Sequence, residues 1–269
     1  MSWTERQQQM LREMGLVVWQ PPAAVPAPVD APAPVSVAVE APMPAAVAAP
    51  APAAAEQPVA LPAASDDRRA HIATLDWPAL RETVAACTAC GLCRTRKQTV
   101  FGVGHHEAQW MIVGEAPGEQ EDLHGEPFVG AAGQLLDSML RALSLTRAAD
   151  GPQPPAQRVY IANTLKCRPP RNRNPEPAEM QACEPFLIRQ IELLRPRLIL
   201  AMGRFAIQAL LRSSEPVGKL RGRVHRYQGV PLVATYHPAY LLRNLPDKAK
   251  AWDDLCLAAS VAEAADSNG

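Results

Sequence analysis

Four cysteines have a spacing that suits a metal centre. Cys87 and Cys90 form a C-x2-C pair, and Cys167 and Cys183 follow far downstream. Four thiolates can hold either a tetrahedral zinc ion or a [4Fe–4S] cluster, and the ligand count does not decide between the two. A cluster is larger and tolerates ligands from widely separated elements. The remaining alternative is a set of buried thiols that bind nothing.

The choice among zinc, a cluster and unligated thiols also depends on the other two cysteines and on the cellular compartment. Cys93 is close enough in sequence to compete as a ligand, whereas Cys256 lies in a C-terminal helical pattern and is predicted to be in the core. The sequence contains no apolar stretch long enough to span a membrane and no secretory signal pattern, so we expect a cytoplasmic protein that binds no membrane. Thiols in a reducing compartment favour metal ligation over disulfides.

Other side chains able to do chemistry are concentrated in three polar segments. These are GEAPGEQED at 114–122, NTLKCRPP at 163–170 and YHPAYLLR at 236–243. Their carboxylates, amide and imidazole are groups that bind polar ligands, orient water or stabilise developing charge. Each segment follows a short apolar run, so the position of those runs in the fold decides whether the three segments meet.

The apolar runs are predicted to be buried strands, at 110–113, 159–162, 198–201 and 232–235. Helical periodicity lies between or beside them, at about 76–86, 132–144, 178–194, 204–212 and 247–263. This alternation predicts an α/β fold, with a central, mostly parallel sheet and helices on both faces. Ligands of such sheets bind beyond the carboxyl ends of the strands, where the three polar segments begin.

Composition divides the chain into three parts. Twelve of the 28 prolines lie between Pro21 and Pro62, in an Ala- and Pro-rich stretch with only three charges. Such a stretch cannot bury enough apolar surface to offset its ordering entropy, so 21–66 is predicted to be a disordered linker. Residues 1–20 are a short amphipathic peptide, which is either a binding site for a protein partner or a terminus without function. One globular domain is expected at 67–269.

The globular part carries a small excess of positive charge. Residues 67–269 contain 25 Lys and Arg against 21 Asp and Glu. Lys166, Arg168, Arg171 and Arg173 follow one another without an acidic residue between them. Such a patch suits a polyanion, although a solvated face explains it equally well.

The ordered set of motifs resembles the family 4 uracil-DNA glycosylases, the iron–sulfur branch of the uracil glycosylase superfamily. The similarity runs from about Cys87 to Arg243 and includes CTAC, GEAPGEQED, GEPFVGAAGQLL, NTLKCRPPRNRNP, Cys183 and HPAYLLR. It implies a three-layer sandwich around a four-stranded, mostly parallel sheet. It also implies a monomeric enzyme that hydrolyses the N-glycosidic bond of deoxyuridine in single- or double-stranded DNA, leaving an abasic site for base excision repair.

The resemblance also assigns the cysteines. It implies a structural [4Fe–4S] cluster on Cys87, Cys90, Cys167 and Cys183, with Cys93 outside. A related branch of the superfamily forms a covalent bond to DNA through a histidine downstream of the second strand. The segment 163–183 contains no histidine, so ordinary hydrolytic turnover is favoured.

For the base, the resemblance points to three side chains. Phe128, placed by Pro127 and Gly130 in an exposed turn, is expected to stack on a uracil flipped out of the helix. Asn163 offers an acceptor for uracil N3–H and a donor for O4, a pattern that rejects cytosine. His237 is expected to donate to uracil O2 as the base departs with negative charge. The uracil pocket is also expected to be lined by backbone groups of Gly114, Glu115 and Ala116.

A carboxylate is needed to orient water and stabilise the cationic sugar. Glu121 is the first choice and Glu115 the second, ahead of Glu119 and Asp122. For DNA, the expected contacts are basic side chains on phosphates and a leucine, 241 or 242, wedged into the gap left by the flipped base. The residues expected to contact DNA are Lys219, Arg221, Arg223, Leu241 and Arg243.

Two functions from other classes remain as alternatives. The first is an iron–sulfur DNA-binding protein without glycosylase activity, which is disfavoured because Asn163 and His237 are both present. The second is a small-molecule hydrolase, which predicts a nucleophile motif such as G-x-S-x-G at a strand end. The sequence contains no such motif.

Overall fold

The computed structural model describes residues 66–266. The predicted N-terminal peptide at 1–20 and the linker, apart from its last residue, lie outside the described residues. The strands of the described part are Val103–Gly104 (β1), Trp110–Gly114 (β2), Val159–Asn163 (β3), Leu198–Met202 (β4), Val224–Tyr227 (β5) and Val230–Thr235 (β6). They form a six-stranded sheet in the order β1-β3-β2-β4-β6-β5.

The inner four strands of this sheet are parallel, and β1 and β5 are antiparallel to their neighbours. The parallel strands are the four that the sequence predicts, each extended by one or two residues. Their uninterrupted apolar runs are typical of strands buried on both faces. The edge strands β1 and β5 were not predicted. The first has only two residues, and the second alternates between exposed and half-buried positions.

The helices of the described part are Asp66–Thr74 (α1), Trp77–Ala85 (α2), Glu119–His124 (α3), Ala131–Ala142 (α4), Pro177–Leu194 (α5), Arg204–Leu211 (α6), Val217–Leu220 (α7), Pro238–Leu241 (α8) and Asp247–Asp266 (α9). Two of these helices begin where a particular residue favours the start of a helix. The carboxylate of Asp76 accepts the amide of Ala79 at 3.0 Å and caps α2, while Pro177 occupies the first turn of α5, where no amide is needed. None of these helices has both the length and the apolar character needed to cross a bilayer.

The sheet is covered on both faces, because successive residues of each strand point in opposite directions. On one face Met111 and Val113 belong to a core that includes side chains of α5 and α6. On the other face Trp110 and Ile112 belong to a core that includes side chains of α4 and α9. The predicted three-layer α/β architecture is therefore confirmed.

The parallel register aligns the strand ends that matter for function. Gly114, the last residue of β2, pairs with Asn163, the last residue of β3. Met202 at the end of β4 likewise pairs with Thr235 at the end of β6. The segments that follow all four strands consequently leave the sheet at the same edge.

Candidate active site

The segments after the four parallel strands line one open cleft of about 780 Å³. Among its lining residues are Glu115, Ala116, Glu121, Phe128, Asn163, Gly203, Arg204, His237 and Arg243. The three polar segments singled out in the sequence thus meet in space. The size of the cleft is within the range of small-molecule and cofactor sites.

Asn163 sits at the floor of this cleft with an unused hydrogen-bond acceptor. Its side chain is buried, and within the described residues its Oδ1 atom has no hydrogen-bond partner. A β-carbon built on Gly114 would lie 2.4 Å from that Oδ1 and 2.7 Å from the Phe128 ring. Glycine at 114 therefore leaves the space in which the amide and the ring approach each other.

Phe128 lies in a tight turn, as expected, but it is buried rather than exposed, with 5% of its surface accessible. Its backbone has a left-handed φ of 56°, which is unfavourable for a phenylalanine. A β-carbon on Gly133 would clash with the Phe128 carbonyl oxygen, so glycine allows α4 to pack against the turn. The Phe128 ring stacks on the imidazole of His237 at a centroid distance of 5.3 Å.

The strained turn is held by two charged side chains. Glu121 Oε1 accepts the amides of Val129 at 3.0 Å and Gly130 at 3.2 Å. From the other side, Arg147 donates to the Phe128 carbonyl at 2.8 Å and to the carbonyl of Pro127. Side chains that satisfy adjacent backbone groups in this way fix a conformation that is otherwise costly.

This arrangement changes the interpretation of Glu121, our first choice for orienting water. In addition to the two turn amides, its Oε2 accepts the amide of Gly118 at 3.1 Å, so both carboxylate oxygens already serve the backbone. Asp122, one of the less favoured candidates, is buried and accepts the amide of Lys97. Glu119 pairs with Arg168 at 3.7 Å.

Glu115 is the carboxylate best suited to chemistry in the cleft. Burial raises its pKa to about 6, and the nearby positive charge of Arg204 opposes that rise. A carboxylate with a raised pKa accepts a proton more readily at neutral pH. Neither Arg204 nor its neighbour Gly203 was predicted from the sequence to belong to the site. The available signal was their position directly after β4, the one parallel strand whose following segment had not been considered.

His237 follows β6 and is held in one tautomer. Its Nδ1 atom accepts the backbone amide of Ala239 at 3.1 Å, so the ring proton resides on Nε2. Burial lowers the pKa of His237 to about 4, which leaves the ring neutral at physiological pH. The neutral ring therefore offers the cleft a single N–H donor.

A second site is formed by four thiols behind the cleft. Cys87, Cys90, Cys167 and Cys183 line one small cavity together with apolar side chains of α2 and α5, and Cys93 is not among its lining residues. Burial raises the pKa of Cys167 to about 11 and that of Cys183 to about 12. Within residues 66–266, no group of three or more His, Cys, Asp or Glu side chains is arranged to hold a metal ion.

Positive or polar donors approach three of these sulfur atoms. The guanidinium of Arg68 lies 3.7 Å from the sulfur of Cys87, and that of Arg96 lies 3.1 Å from the sulfur of Cys167. The backbone amide of Lys166 donates to the sulfur of Cys183 at 3.2 Å. Donors of this kind stabilise thiolates, which are the form that binds metals.

Comparison with known proteins agrees with this geometry. Residues 101–256 match the family model of the uracil DNA glycosylase superfamily. The chain belongs to this superfamily. It is 42% identical to a type-4 uracil-DNA glycosylase of Archaeoglobus fulgidus over 59% of this chain and 79% of the relative. It is also 42% identical to a type-4 enzyme of Thermotoga maritima (61% and 81% covered), and 33% identical to a type-5 enzyme of Pyrobaculum aerophilum (52% and 66%).

For a member of the uracil DNA glycosylase superfamily, the surface around the cleft is where DNA contacts are expected. Arg243 lines the cleft itself. Lys219 is exposed, and so is Arg223, whose nearest acid is Glu215 at 3.9 Å. These three predicted contacts are accessible to a phosphate backbone.

Two of the predicted DNA contacts have little accessible surface. Leu241, the last residue of α8, is only 1% exposed because α8 packs against α4, so the exposed Leu242 is the leucine able to reach DNA. Arg221 is committed to the interior, where its guanidinium pairs with the buried Asp254 at 2.9 Å. The spacing of residues in the sequence did not indicate that Leu241 would be buried or that Arg221 would pair with Asp254.

Two further expectations about burial were wrong. Lys166, counted in the basic patch, is 1% exposed, and burial lowers its pKa to about 8. Cys256, expected in the core, is exposed because it lies on the outer side of α9. The exposed basic patch is therefore reduced to Arg171 and Arg173, with Arg168 partly buried beside them.

Proposed function

We propose that this protein is a uracil-DNA glycosylase, which hydrolyses the N-glycosidic bond of deoxyuridine in DNA and releases uracil. The observation that carries the proposal is the buried Oδ1 atom of Asn163, which has no partner within the described residues. An unsatisfied buried acceptor costs about 1–3 kcal/mol, so the site favours a ligand that brings a donor. Uracil N3–H is such a donor. Cytosine has an acceptor at N3 and is rejected.

The cleft also provides for the rest of the base. A uracil in stacked duplex DNA is out of reach, so the nucleotide has to be flipped out or presented in a single strand. The Phe128 ring supplies a stacking surface, and the absence of a side chain at Gly114 lets the Asn163 amide lie beside that ring. His237 Nε2–H donates to uracil O2 as negative charge develops there. One such donor contributes about 3–4 kcal/mol to stabilising a transition state.

We assign to Glu115 the roles of orienting water and stabilising the cationic sugar. Its carboxylate lies in the same cleft as His237 and, unlike that of Glu121, accepts no backbone amide within the described residues. In its ionised form it orients a water molecule and stabilises the positive charge that forms on deoxyribose. Glu121 acts through Phe128, by holding the turn that carries the ring.

We also propose that the four-thiol cavity holds a [4Fe–4S] cluster, with Cys87, Cys90, Cys167 and Cys183 as ligands. Four cysteines around one cavity supply the ligand set of such a cluster, and donors from Arg68 and Arg96 offset its negative charge. Bound there, the cluster supplies structural cross-linking between separate parts of the chain. Catalysis requires no electron transfer from it.

DNA is proposed to bind across the mouth of the cleft. Lys219, Arg223 and Arg243 supply phosphate contacts, and Leu242 fills the gap left by the flipped nucleotide. A cytoplasmic location, a monomeric state and a protein partner for residues 1–20 remain predictions from the sequence.

The test is excision of uracil from a labelled oligonucleotide, in single-stranded form and as a U·G duplex, followed by alkaline cleavage and a denaturing gel. Cleavage by the wild type and a fall of two or more orders of magnitude in His237→Ala support the proposal. A cytosine-containing oligonucleotide is the specificity control. If protein that binds the oligonucleotide leaves uracil in place, the non-catalytic DNA-binding alternative is correct.

A further inference from the structure

A buried lysine lies directly behind the base-reading asparagine. Lys166 is among the largest fully buried side chains of the described residues. Its Nζ donates to the backbone carbonyl of Asn163 at 2.9 Å and to Gln190 Oε1 at 2.6 Å. Lysines are almost never fully buried unless they are paired, because removing an ammonium group from water is costly. A lysine that is buried despite this cost is expected to hold a neighbouring group in a fixed position.

The second partner of Lys166 is itself fixed. Gln190 is completely buried in α5, and its amide nitrogen donates to the Phe101 carbonyl at 3.0 Å and to the Tyr160 hydroxyl at 3.2 Å. Tyr160 belongs to β3, the same strand that ends at Asn163. The ammonium group of Lys166 is therefore fixed through Gln190 to α5 and β3. This keeps its hydrogen bond to the Asn163 carbonyl in one position.

The main chain of Lys166 connects this support to the thiol cavity. Its amide donates to the sulfur of Cys183 at 3.2 Å, and its carbonyl accepts the amide of Val100 at 2.8 Å. Cys183 and Gln190 are seven residues apart on α5, which places them on one face two turns apart. A single residue thus contacts both a proposed cluster ligand and the residue that reads the base.

We propose that Lys166 is a positioning residue, which holds Asn163 in its uracil-reading orientation and ties that orientation to the thiol cavity. The inference rests on the proposed function, since it concerns how the same pocket recognises uracil. Lys166 touches neither base nor sugar in this account. It acts through the backbone of Asn163, and a shift of about 1 Å in such a group is enough to lower a rate by about 10²-fold.

The experiment is a double-mutant cycle on the full-length, cluster-containing protein. Lys166→Met removes the donor with little change in shape, and Asn163→Ala removes the base-reading amide. Uracil excision is measured as kcat/KM for wild type, both single variants and the double variant. We expect Lys166→Met to lower kcat/KM by about 10²-fold, and the double variant to be no less active than Asn163→Ala alone. If the two losses multiply, Lys166 acts independently of Asn163 and the inference is overturned.

Two additional measurements keep the result clear. Thermal unfolding and visible absorption report whether the Lys166→Met protein is folded and carries its cluster, and Ser138→Ala, an exposed position on α4, is the control for handling. If Lys166→Met does not fold, Lys166→Gln replaces it in the cycle, because glutamine retains an N–H donor. Lys166→Gln is expected to keep more activity than Lys166→Met, and activity equal to wild type in Lys166→Met overturns the inference. A wild type that excises no uracil instead overturns the proposed function.

Discussion

Asn163 Oδ1 lies 2.4 Å from the point that a β-carbon on Gly114 would occupy. The two residues end neighbouring parallel strands and are paired in register. The proposed recognition group of the pocket is thus placed by the sheet itself, and its close approach to the neighbouring strand is possible because residue 114 has no side chain.

Replacing Gly114 with alanine is expected to lower kcat/KM for uracil excision by about 10²-fold, because the new methyl group displaces both Asn163 and the Phe128 ring. The backbone at Gly114 is not left-handed, so the folded state should persist. Excision kinetics and thermal unfolding check this together. Gly130→Ala is the matched control, since its β-carbon would meet atoms only at 3.8 Å or beyond. Equal activity in the two variants would contradict the account of the pocket.

The activity should fall as the pH drops through about 6. Burial raises the pKa of Glu115 to about 6, and the ionised form is the one that we propose to orient water, so protonation removes the proposed working species. A profile of kcat against pH measures this acidic limb. Glu115→Gln should be strongly impaired at every pH and lose the limb. Glu121→Gln should keep it, and a limb that disappears only in Glu121→Gln would reverse the two assignments.

Cys167→Ala should abolish the visible absorption of a bound cluster and lower the melting temperature by about 5 °C or more, because metal binding contributes to folding free energy. The exposed Cys256 offers a matched comparison, and Cys256→Ala should retain both absorption and stability. Iron and sulfide analysis of the two purified variants completes the measurement. Normal iron content in Cys167→Ala would remove this residue from the ligand set.

Replacing Arg221 with alanine should affect the stability of the fold, whereas replacing Arg223 should affect DNA binding. Arg221→Ala leaves the buried Asp254 without its cation and should destabilise the fold by about 3–5 kcal/mol in denaturant unfolding. Arg223→Ala should leave stability unchanged, because its contact with Glu215 is exposed and long. In DNA binding measured over a range of salt concentrations, Arg223→Ala should flatten the salt dependence by about one charge. Loss of stability in Arg223→Ala would refute this division.

The four parallel strands and five of the nine α-helices of the described residues followed from local pattern. Strands buried on both faces are continuous apolar runs, and the register of a parallel sheet brings their ends together, so the meeting of Asn163 and His237 in one cleft could be foreseen. The short antiparallel edge strands could not be predicted, because the two residues of β1 are too few to show a periodic pattern.

Burial of individual polar residues could not be predicted, because it depends on partners far away in sequence. Lys166 is buried through Gln190, and Arg221 through Asp254, which lies 33 residues further on. The assignment of the water-orienting role to Glu115 or Glu121 depends on distant partners in the same way. Both occupy one motif, and only the folded turn at 127–130 shows which carboxylate is already occupied.

Glu121 and Arg147 hold the Phe128 turn by hydrogen bonds that involve no DNA. A pocket that is shaped before the substrate arrives fits the excised base as well as the bound nucleotide. Free uracil should therefore compete with DNA for the cleft, and its departure adds a step to each turnover after the bond is broken. The rigidity proposed to select the base should also limit how quickly the protein moves to the next lesion.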